Sequence, residues 1–365
     1  MIGVGIVGIE PGRSWAAVAH LPALRALPDY EVRAVATRRQ ESADAAAAAF
    51  DIPLAFGDTH AMIADPRVDL VAVTVKVPHH RELVEAALTA GKHVYCEWPL
   101  GNGLAEALAM AAQARQTGIA CCVGLQARMA PVMDYVRALI SEGFVGEVLS
   151  TTLIGSGMQW AAQVDAPNAY IVDKANGATM LTIPLGHTLD AVCHCLGEFT
   201  SLSATGVIRQ PHVTRTDTGE TLIKTTEDQI VIAGELESGT VASVHYRGGS
   251  SRGVKLLWEI NGTEGDLQVT AEGGHAQIFD LRLMGARGTE GSLQPMNVPA
   301  VHRWVPESLA GPAVNVAQMY ERFAADMRDG TRQCPDFDEA VRRHRMVAAI
   351  EEAMRSGGRV RLEAA

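Results

Sequence analysis

The glycine-rich N-terminus constrains the fold more than any other stretch of this chain. A short apolar run, Ile2–Val7, is followed by a segment that contains Gly8, Gly12 and Ser14 and then by an alanine-rich stretch. This order is typical of the first strand, tight turn and helix of a dinucleotide-binding unit, where backbone N–H groups at the helix start face a pyrophosphate. A glycine-rich corner that binds no ligand is the alternative.

The spacing of the glycines decides where the phosphate turn lies. The fingerprint Gly3-x-Gly5-x-x-Gly8 occurs literally, but it falls inside the strand, where no helix start can face a phosphate. We therefore place the turn after the strand, as a stretched form of the fingerprint. The residues expected to bind the cofactor there are Gly8, Gly12, Arg13, Ser14 and Trp15.

Strand and helix patterns alternate through the first third of the chain, which predicts a doubly wound parallel sheet with helices on both faces. A ligand then lies at the carboxyl ends of the strands, where the strand order reverses. The predicted strands are Tyr30–Thr37, Ile52–Phe56, Asp69–Lys76, His93–Glu97 and Ile119–Gly124, and the predicted helices are Gln40–Phe50, His79–Ala90 and Leu104–Thr117.

The rhythm changes after about residue 125, where strands follow one another without helices between them. This predicts an α+β second domain on a large, mostly antiparallel open sheet. We expect domains at 1–125 and 126–313, with C-terminal helices over 314–365 that pack back on the first domain. The predicted elements are helices Pro131–Glu142, Gly177–Leu196, Val314–Asp329 and Phe337–Ser356, and strands Glu147–Gly155, Ser201–Ile208, Gln229–Glu235, Val241–Tyr246, Lys255–Ile260, Leu267–Thr270 and Ala276–Leu283.

Composition excludes several classes of function. The 365 residues carry a net charge of −11 and contain no basic tract, so we expect no nucleic acid partner. No charged leader precedes the first strand and no apolar run approaches a membrane span, which predicts a cytoplasmic protein without a membrane partner. The six cysteines lack the spacing of a zinc site or a disulfide framework. We therefore predict no metal.

The end of the second predicted strand indicates the cofactor. An acidic side chain there would bind the ribose hydroxyls of NAD, but the chain has Thr37, Arg38 and Arg39. A hydroxyl followed by two guanidiniums suits a 2′-phosphate, so the sequence favours NADP over NAD. A solvated helix start is the alternative interpretation.

Several short motifs together resemble the glucose-fructose oxidoreductase, inositol dehydrogenase and MocA family across essentially the whole chain. The resemblance implies a Rossmann domain, a nicotinamide dinucleotide and a sugar, polyol or related hydroxy compound as substrate. It also implies a homodimer or homotetramer formed through the open sheet. The motifs are Gly91-Lys92-His93-Val94-Tyr95-Cys96-Glu97-x-Pro99, Gly124-x-Gln126-x-Arg128, Ile140-x-x-Gly143-x-x-Gly146-Glu147-Val148, Gly186-His187-x-x-Asp190 and Asp336-Phe337-x-x-Ala340-Val341.

More narrowly, three stretches resemble the subgroup of the yeast galactose-regulon repressor, which binds a nicotinamide dinucleotide and regulates through protein contacts. They are Val75-Lys76-Val77-Pro78, Glu97-Trp98 and Gly186-His187-Thr188-x-Asp190. Typical dehydrogenases of the family have a lysine where this chain has Trp98, and an aspartate where it has Ile183. Two of three expected polar catalytic groups are therefore absent.

His187 is the predicted general base, because imidazole titrates near neutral pH, and Asp190 one turn further could orient it. Lys76, at the end of an apolar strand, would lie near the nicotinamide ribose, either as a proton relay or as a donor to the ribose hydroxyls. The indole of Trp98 offers a face to the nicotinamide or to a sugar ring. The catalytic candidates are His187, Lys76 and Asp190; the further cofactor contacts are Lys76, Val77, Pro78, His80, Glu97, Trp98 and Gln126; and the substrate contacts are Trp98, Arg128, Tyr170 and His187. Trp160, His245 and Arg247 are further candidates for the substrate side of the second domain.

Three functions are consistent with these residues. The first is an NAD(P)-dependent oxidoreductase acting on a sugar or polyol by hydride transfer. The second is a cofactor-binding regulator without turnover, which the replacements at Trp98 and Ile183 favour. The third is a glycosidase or lyase in which a tightly held NAD oxidises and later re-reduces the same sugar.

Overall fold

The computed structural model describes residues 1–12 and 14–362. The described backbone divides into two compact units. The first comprises Met1–Gln126 and Arg303–Val341, and the second comprises Ala127–His302 and the described part of Arg342–Ala365.

The first unit contains a six-stranded sheet in the order β3-β2-β1-β4-β5-β6, with every pair parallel. The chain order reverses between β1 and β4, as in a Rossmann fold, so the predicted doubly wound sheet is confirmed. The strands are β1 (Ile2–Val7), β2 (Tyr30–Ala36), β3 (Leu54–Phe56), β4 (Leu70–Val73), β5 (His93–Glu97) and β6 (Cys121–Gly124). All four residues of β4 are buried, because helices cover both faces of a parallel sheet.

The helices of this unit are α1 (Leu21–Ala26), α2 (Gln40–Phe50), α3 (Thr59–Ala64), α4 (His80–Thr89), α5 (Leu104–Thr117) and α8 (Pro312–Asp329). The sequence did not predict helix α3, because six residues are too few to display a helical period. Its start is capped by Asp58, whose side chain accepts a hydrogen bond of 2.9 Å from the backbone N–H of His60. A five-residue π-helix, Ala16–His20, leads from the N-terminal turn into α1.

The second unit contains a nine-stranded sheet in the order β17-β16-β15-β14-β7-β13-β12-β9-β18. Only β7 and β13 pair in parallel, and the other pairs in this sheet are antiparallel, as predicted for most of it. Its strands are β7 (Val148–Ser156), β9 (Phe199–Val207), β12 (Gln229–Leu236), β13 (Val241–Arg247), β14 (Leu256–Gly262), β15 (Gly265–Ala271), β16 (Leu281–Arg287), β17 (Gln294–Met296) and β18 (Val360–Arg361). A small sheet holds β8 (Gln163–Val164), β10 (His212–Arg215) and β11 (Thr221–Ile223).

Helices α6 (Pro131–Ser141) and α7 (Gly186–Leu196) belong to the second unit, and α9 (Phe337–Ser356) contains the boundary between the units. Every residue of α7 except His194 is buried, in keeping with its apolar sequence. The predicted helix began at Gly177, but a π-helix over Leu181–Leu185 precedes α7 and marks the start of helical structure. No helix among the residues that the structure describes is long and apolar enough to cross a membrane.

One predicted strand is wrong in position. The stretch Ala276–Leu283 was expected to be extended, whereas β16 begins at Leu281 and the residues before it form a turn. The carbonyl of His275 accepts hydrogen bonds from the backbone N–H groups of Ile278 and Phe279. Buried apolar residues in a turn resemble a short strand in sequence, because burial rather than period sets their composition.

Candidate functional site

The N-terminal turn of the first unit, where the cofactor contacts were predicted, contains two glycines with positive φ. Gly8 follows β1 with φ +94°, and its N–H donates to the carbonyl of Ala36 at 3.0 Å. A Cβ atom on Gly8 would lie 2.6 Å from Cγ1 of Val75, so backbone angle and space both require glycine there. Gly12 also has a positive φ, +91°, but open space surrounds the position of its missing Cβ.

Ser14 closes this turn and directly precedes the helical segment. Its hydroxyl accepts from the N–H of Glu10 and donates to the carbonyl of the same residue, both at 2.8 Å. The indole of Trp15 is half-buried, and its Nε1 atom is buried without a partner among the described residues. Arg13 lies outside the described residues. The open cradle at Gly12 and the helix start beside it fit the pyrophosphate of a dinucleotide.

The segment after β2 carries the predicted 2′-phosphate contacts. The hydroxyl of Thr37 donates to the carbonyl of Arg39 at 2.9 Å, and both arginine side chains are exposed. The guanidinium of Arg38 is hydrogen-bonded to Nε2 of His79. His79, which the sequence analysis did not single out, thus joins the end of β2 to the start of α4.

The segment after β4 holds two predicted cofactor contacts in different environments. Lys76 is exposed, while Val77 is buried. His80, another predicted cofactor contact, is only 1% exposed. Its ring nitrogens lie 2.9 Å from the carbonyl oxygens of Val75 and Pro99, so His80 joins the segments that follow β4 and β5. Burial lowers the pKa of His80.

Glu97, at the end of β5, is the centre of a hydrogen-bond network in the first unit. The side-chain amide of Gln126 donates to both carboxylate oxygens of Glu97, at 3.0 and 2.8 Å. Nε2 of His20 lies 2.8 Å from Oε1 of Glu97, and Nδ1 of His20 lies 2.8 Å from the hydroxyl of Tyr320. Trp98 follows with 4% exposure and a cis bond to Pro99.

The sequence analysis predicted Glu97 and Gln126 but missed His20 and Tyr320. Both missed residues are fully buried. His20 lies in an apolar run, where a polar side chain was the available signal, whereas Tyr320 has the polar neighbours Gln318, Glu321 and Arg322 and gave no such signal. Burial raises the pKa of the Tyr320 hydroxyl, which keeps it protonated as a donor.

His187 is the central candidate in the second unit. It is the second residue of α7, is 3% exposed, and has a buried Nδ1 atom without a partner among the described residues. Burial, and to a smaller extent the neighbouring imidazole of His275, lowers the pKa of His187 to about 3. The ring is therefore neutral at physiological pH, the form that can accept a proton.

Asp190 is buried among arginines. Its carboxylate accepts from Nε of Arg128 at 2.7 Å and from Nη2 of the same side chain. Nε of Arg343 lies 3.5 Å from the carboxylate of Asp190. The structure thus brings Asp190 and Arg128 together as an ion pair, whereas Ile183 lies half-buried in the π-helix before α7.

A cluster of aromatic and polar side chains lies at the end of β7. The rings of Trp160 and His275 stack with their centroids 6.3 Å apart. Nε2 of His275 donates to the carbonyl of Gly157 at 2.7 Å, and the amide of Gln277 lies 3.4 Å from Nδ1 of His275. The sequence analysis missed His275 and Gln277, although two polar residues after Gly273-Gly274 in an apolar run were a usable signal.

The other predicted substrate-side residues of the second unit differ in how far they are buried. Tyr170 is half-buried in the 3-10 helix Ala166–Val172, and burial raises its pKa. Along β13, Tyr246 is buried and is hydrogen-bonded to Thr188 of α7, whereas His245 points to the exposed face of the sheet. Among the residues that the structure covers, no group of three or more His, Cys, Asp or Glu side chains could hold a metal ion.

A Rossmann sheet with a glycine turn at its carboxyl edge, followed by a unit built on an open sheet, defines a nucleotide-binding protein of two units. A model described as an oxidoreductase family with an NAD-binding Rossmann fold matches residues 2–125, and one for the C-terminal domain of Gal80p matches residues 131–271. The chain belongs to the Gfo/Idh/MocA oxidoreductase family.

Comparisons with known proteins agree with this family. The dehydrogenase aclE of Aspergillus oryzae is 32% identical over 98% of this chain and 97% of its own length. The galactose/lactose metabolism regulatory protein GAL80 of Saccharomyces cerevisiae is 27% identical over 77% of this chain and 69% of its own. Levoglucosan dehydrogenase in complex with NADH and L-sorbose has the same fold, with a TM-score of 0.87 at 22% identity over 100% and 99% of the two chains.

Proposed function

We propose that the protein is an NAD(P)-dependent dehydrogenase that oxidises a hydroxyl group of a sugar, polyol or related compound. The phosphate turn at Gly8, in a chain that aligns end to end with a dehydrogenase, carries this proposal. Gly8, Gly12, Ser14 and Trp15 would hold the pyrophosphate side of the dinucleotide. When bound, its nicotinamide supplies hydride exchange with a substrate carbon.

His187 accepts the hydroxyl proton in this proposal. Its ring is neutral and its Nδ1 atom has no partner among the described residues, so a lone pair or an N–H is available to a ligand. A general base contributes about 10²–10⁴-fold to turnover when its pKa lies near the working pH, so this role requires the pKa of His187 to rise from about 3 when the ligands bind. The ion pairs of Asp190 with Arg128 and Arg343 would fix the position of α7 rather than move protons.

NADP is the cofactor that we propose. Thr37, Arg38 and Arg39 would surround the 2′-phosphate, and His79 would share that role because it contacts Arg38. Lys76 is exposed at the same edge of the sheet, where an ammonium can donate to ribose hydroxyls or relay a proton. Val77, Pro78, His80, Glu97, Trp98 and Gln126 complete the proposed cofactor contacts.

The experiment that tests this function is the near-ultraviolet absorbance of reduced nicotinamide. Purified protein is mixed with NAD or NADP and a panel of aldoses, polyols and anhydrosugars. We expect a rise with at least one compound, faster with NADP, and a loss of at least about 100-fold in kcat for His187→Ala. His212→Ala, at an exposed position of β10, is the control. Full turnover in His187→Ala would remove the proposed base.

A regulator without turnover is the second candidate, favoured by Trp98 and Ile183 at the positions of the catalytic lysine and aspartate and by the similarity to GAL80. Silence across the panel, in protein shown to bind the dinucleotide by fluorescence titration, would favour this function. Release of product from a glycoside with only catalytic NAD would favour the redox-neutral glycosidase instead.

Self-association through the nine-stranded sheet is also part of the proposal. Its outer face exposes Val207, Val231 and Val241, with exposed fractions of 40, 44 and 61%. A homodimer or homotetramer would cover these side chains. Light scattering on wild type and on Val231→Lys should show a larger particle for the wild type.

We place the protein in the cytoplasm, because all six cysteines are free thiols.

A further inference from the structure

Trp160 has a backbone conformation that few residues other than glycine adopt. Its φ is +59°, and Met158 two residues earlier has φ +58°. Such angles persist only where the surrounding structure holds them, and they concentrate at ligand-binding sites. The contacts of Trp160 therefore show what holds this strained conformation and how it positions the indole.

A buried ion pair anchors the backbone of Trp160. Nζ of Lys224 donates to the carbonyl of Trp160 at 2.9 Å and to Oδ2 of Asp228 at 2.8 Å, and both charged side chains are almost completely buried. The carboxylate of Asp228 also accepts backbone hydrogen bonds from Arg209 and Gln210, at 2.9 Å each. The ion pair of Lys224 and Asp228 therefore holds the carbonyl of Trp160 in place.

The indole of Trp160 is held as firmly as its backbone. It stacks on His275, whose own Nε2 is bonded to the carbonyl of Gly157. The indole is 5% exposed, yet its Nε1–H group is buried without an acceptor among the residues described. His187, which interacts electrostatically with His275, has a similarly unpartnered Nδ1.

Nε1 of Trp160 and Nδ1 of His187 thus lie close to the stacked rings of Trp160 and His275, and neither atom has a partner among the described residues. A buried donor normally has a partner, because leaving it unpaired costs free energy. A flat aromatic face with hydrogen-bonding groups at its edge matches a polyhydroxylated ring, whose C–H face is apolar and whose hydroxyls project at the rim.

We propose that Trp160 is a substrate-binding residue whose indole N–H donates to a hydroxyl of a cyclic sugar or polyol, at a position other than the carbon oxidised. His275 supports the indole as a positioning residue. This inference rests on the proposed function, because it assigns the class of substrate to the same unit as His187. A buried water in place of the hydroxyl is the alternative source of an acceptor.

Trp160→Phe tests the inference, since it keeps an aromatic ring and removes the N–H. Trp258→Phe is the matched control, because Trp258 is also buried in this unit but its indole N–H already donates to Thr151 at 2.8 Å. For the sugar or polyol that is turned over, Trp160→Phe should raise KM roughly 3- to 10-fold with little change in kcat. Trp258→Phe should leave KM unchanged, and an unchanged KM in Trp160→Phe would overturn the inference.

Calorimetric titration of levoglucosan and L-sorbose into the protein with NADH separates this inference from the proposed function. Binding without turnover, weakened only in Trp160→Phe, would refute the dehydrogenase and support the subsite. Turnover with equal KM in both variants would refute the subsite alone. If Trp160→Phe does not fold, the wild-type protein is titrated with deoxy analogues of a sugar that it binds. At least one analogue should then bind roughly 3- to 10-fold more weakly than the parent sugar. Equal affinity of all analogues and the parent sugar would overturn the inference.

Discussion

His20 and Glu97 are joined by a hydrogen bond of 2.8 Å between Nε2 and Oε1, although 77 residues separate them in the chain. The hydroxyl of Tyr320, from α8, holds the other ring nitrogen of His20. Gln126 holds both oxygens of Glu97 from the end of β6. Three distant segments therefore fix the carboxylate of Glu97 at the carboxyl edge of the sheet.

Glu97→Gln should destabilise the first unit. The substitution replaces an acceptor-only group with an amide that opposes the amide of Gln126, so we expect a loss of about 1–3 kcal/mol in the free energy of unfolding. Glu31→Gln, which disrupts an exposed pair with Arg33, should change it by less than about 0.5 kcal/mol. Urea denaturation measures both, and equal effects would contradict the network.

Gly8→Ala should impair nucleotide binding more than Gly12→Ala. Both positions have a positive φ, but only Gly8 would place its Cβ 2.6 Å from another side chain, Val75. We expect at least about a tenfold rise in the Kd of NADPH for Gly8→Ala and a smaller rise for Gly12→Ala. Titration of NADPH fluorescence gives both values, and the reverse order would move the phosphate site away from Gly8.

Arg38→Ala should weaken NADP binding selectively. A guanidinium that bonds a phosphate contributes about 1.5–3 kcal/mol, so the Kd of NADP should rise roughly 10- to 100-fold, while that of NAD changes little. Arg81→Ala, on the exposed face of α4, is the control. Equal losses for NAD and NADP would remove the preference.

His187 should make the stability of the protein fall in mild acid. Burial lowers the pKa of His187 in the folded chain to about 3, against about 6.5 for an exposed histidine. Between these values only the unfolded chain takes up the proton, so acid favours unfolding by about 1.4 kcal/mol for each pH unit below 6.5.

The comparison with His187→Gln isolates this effect. From pH 7.5 to pH 5.5 the melting temperature of the wild type should fall further than that of the variant, which lacks the titrating group. Differential scanning calorimetry at matched ionic strength measures the two shifts. An equal fall in both proteins would show that folding does not lower the pKa of His187.

Lys224→Met should be among the most damaging substitutions in the second unit. It leaves the carboxylate of Asp228 buried without its cation. Such a loss typically lowers the free energy of unfolding by about 3–5 kcal/mol. Lys174→Met removes a lysine that is 39% exposed and paired with Glu227, so it should cost less than about 1 kcal/mol. Similar losses in both variants would mean that Lys224 is not the anchor of Trp160.

Local patterns were sufficient for most elements of the fold. The bounds of α2, α5, α9 and β5 coincide with the predicted ones, because a helical period or a β-branched run is set by neighbouring residues. The glycine spacing at Gly8 and Gly12 likewise placed the turn correctly after β1. A helix shorter than two turns, such as α3, and a buried turn, such as the segment before β16, have no period that the sequence could reveal.

The amino-acid sequence by itself determined the Rossmann sheet, the open second sheet, the glycine turn after β1 and the family. Tertiary structure decided the partners: His20 with Tyr320 across 300 residues, Asp190 with Arg128, and Trp160 with His275. Period and glycine spacing depend on residues close in the chain, whereas the partner of a buried polar group depends on which distant segments pack beside it.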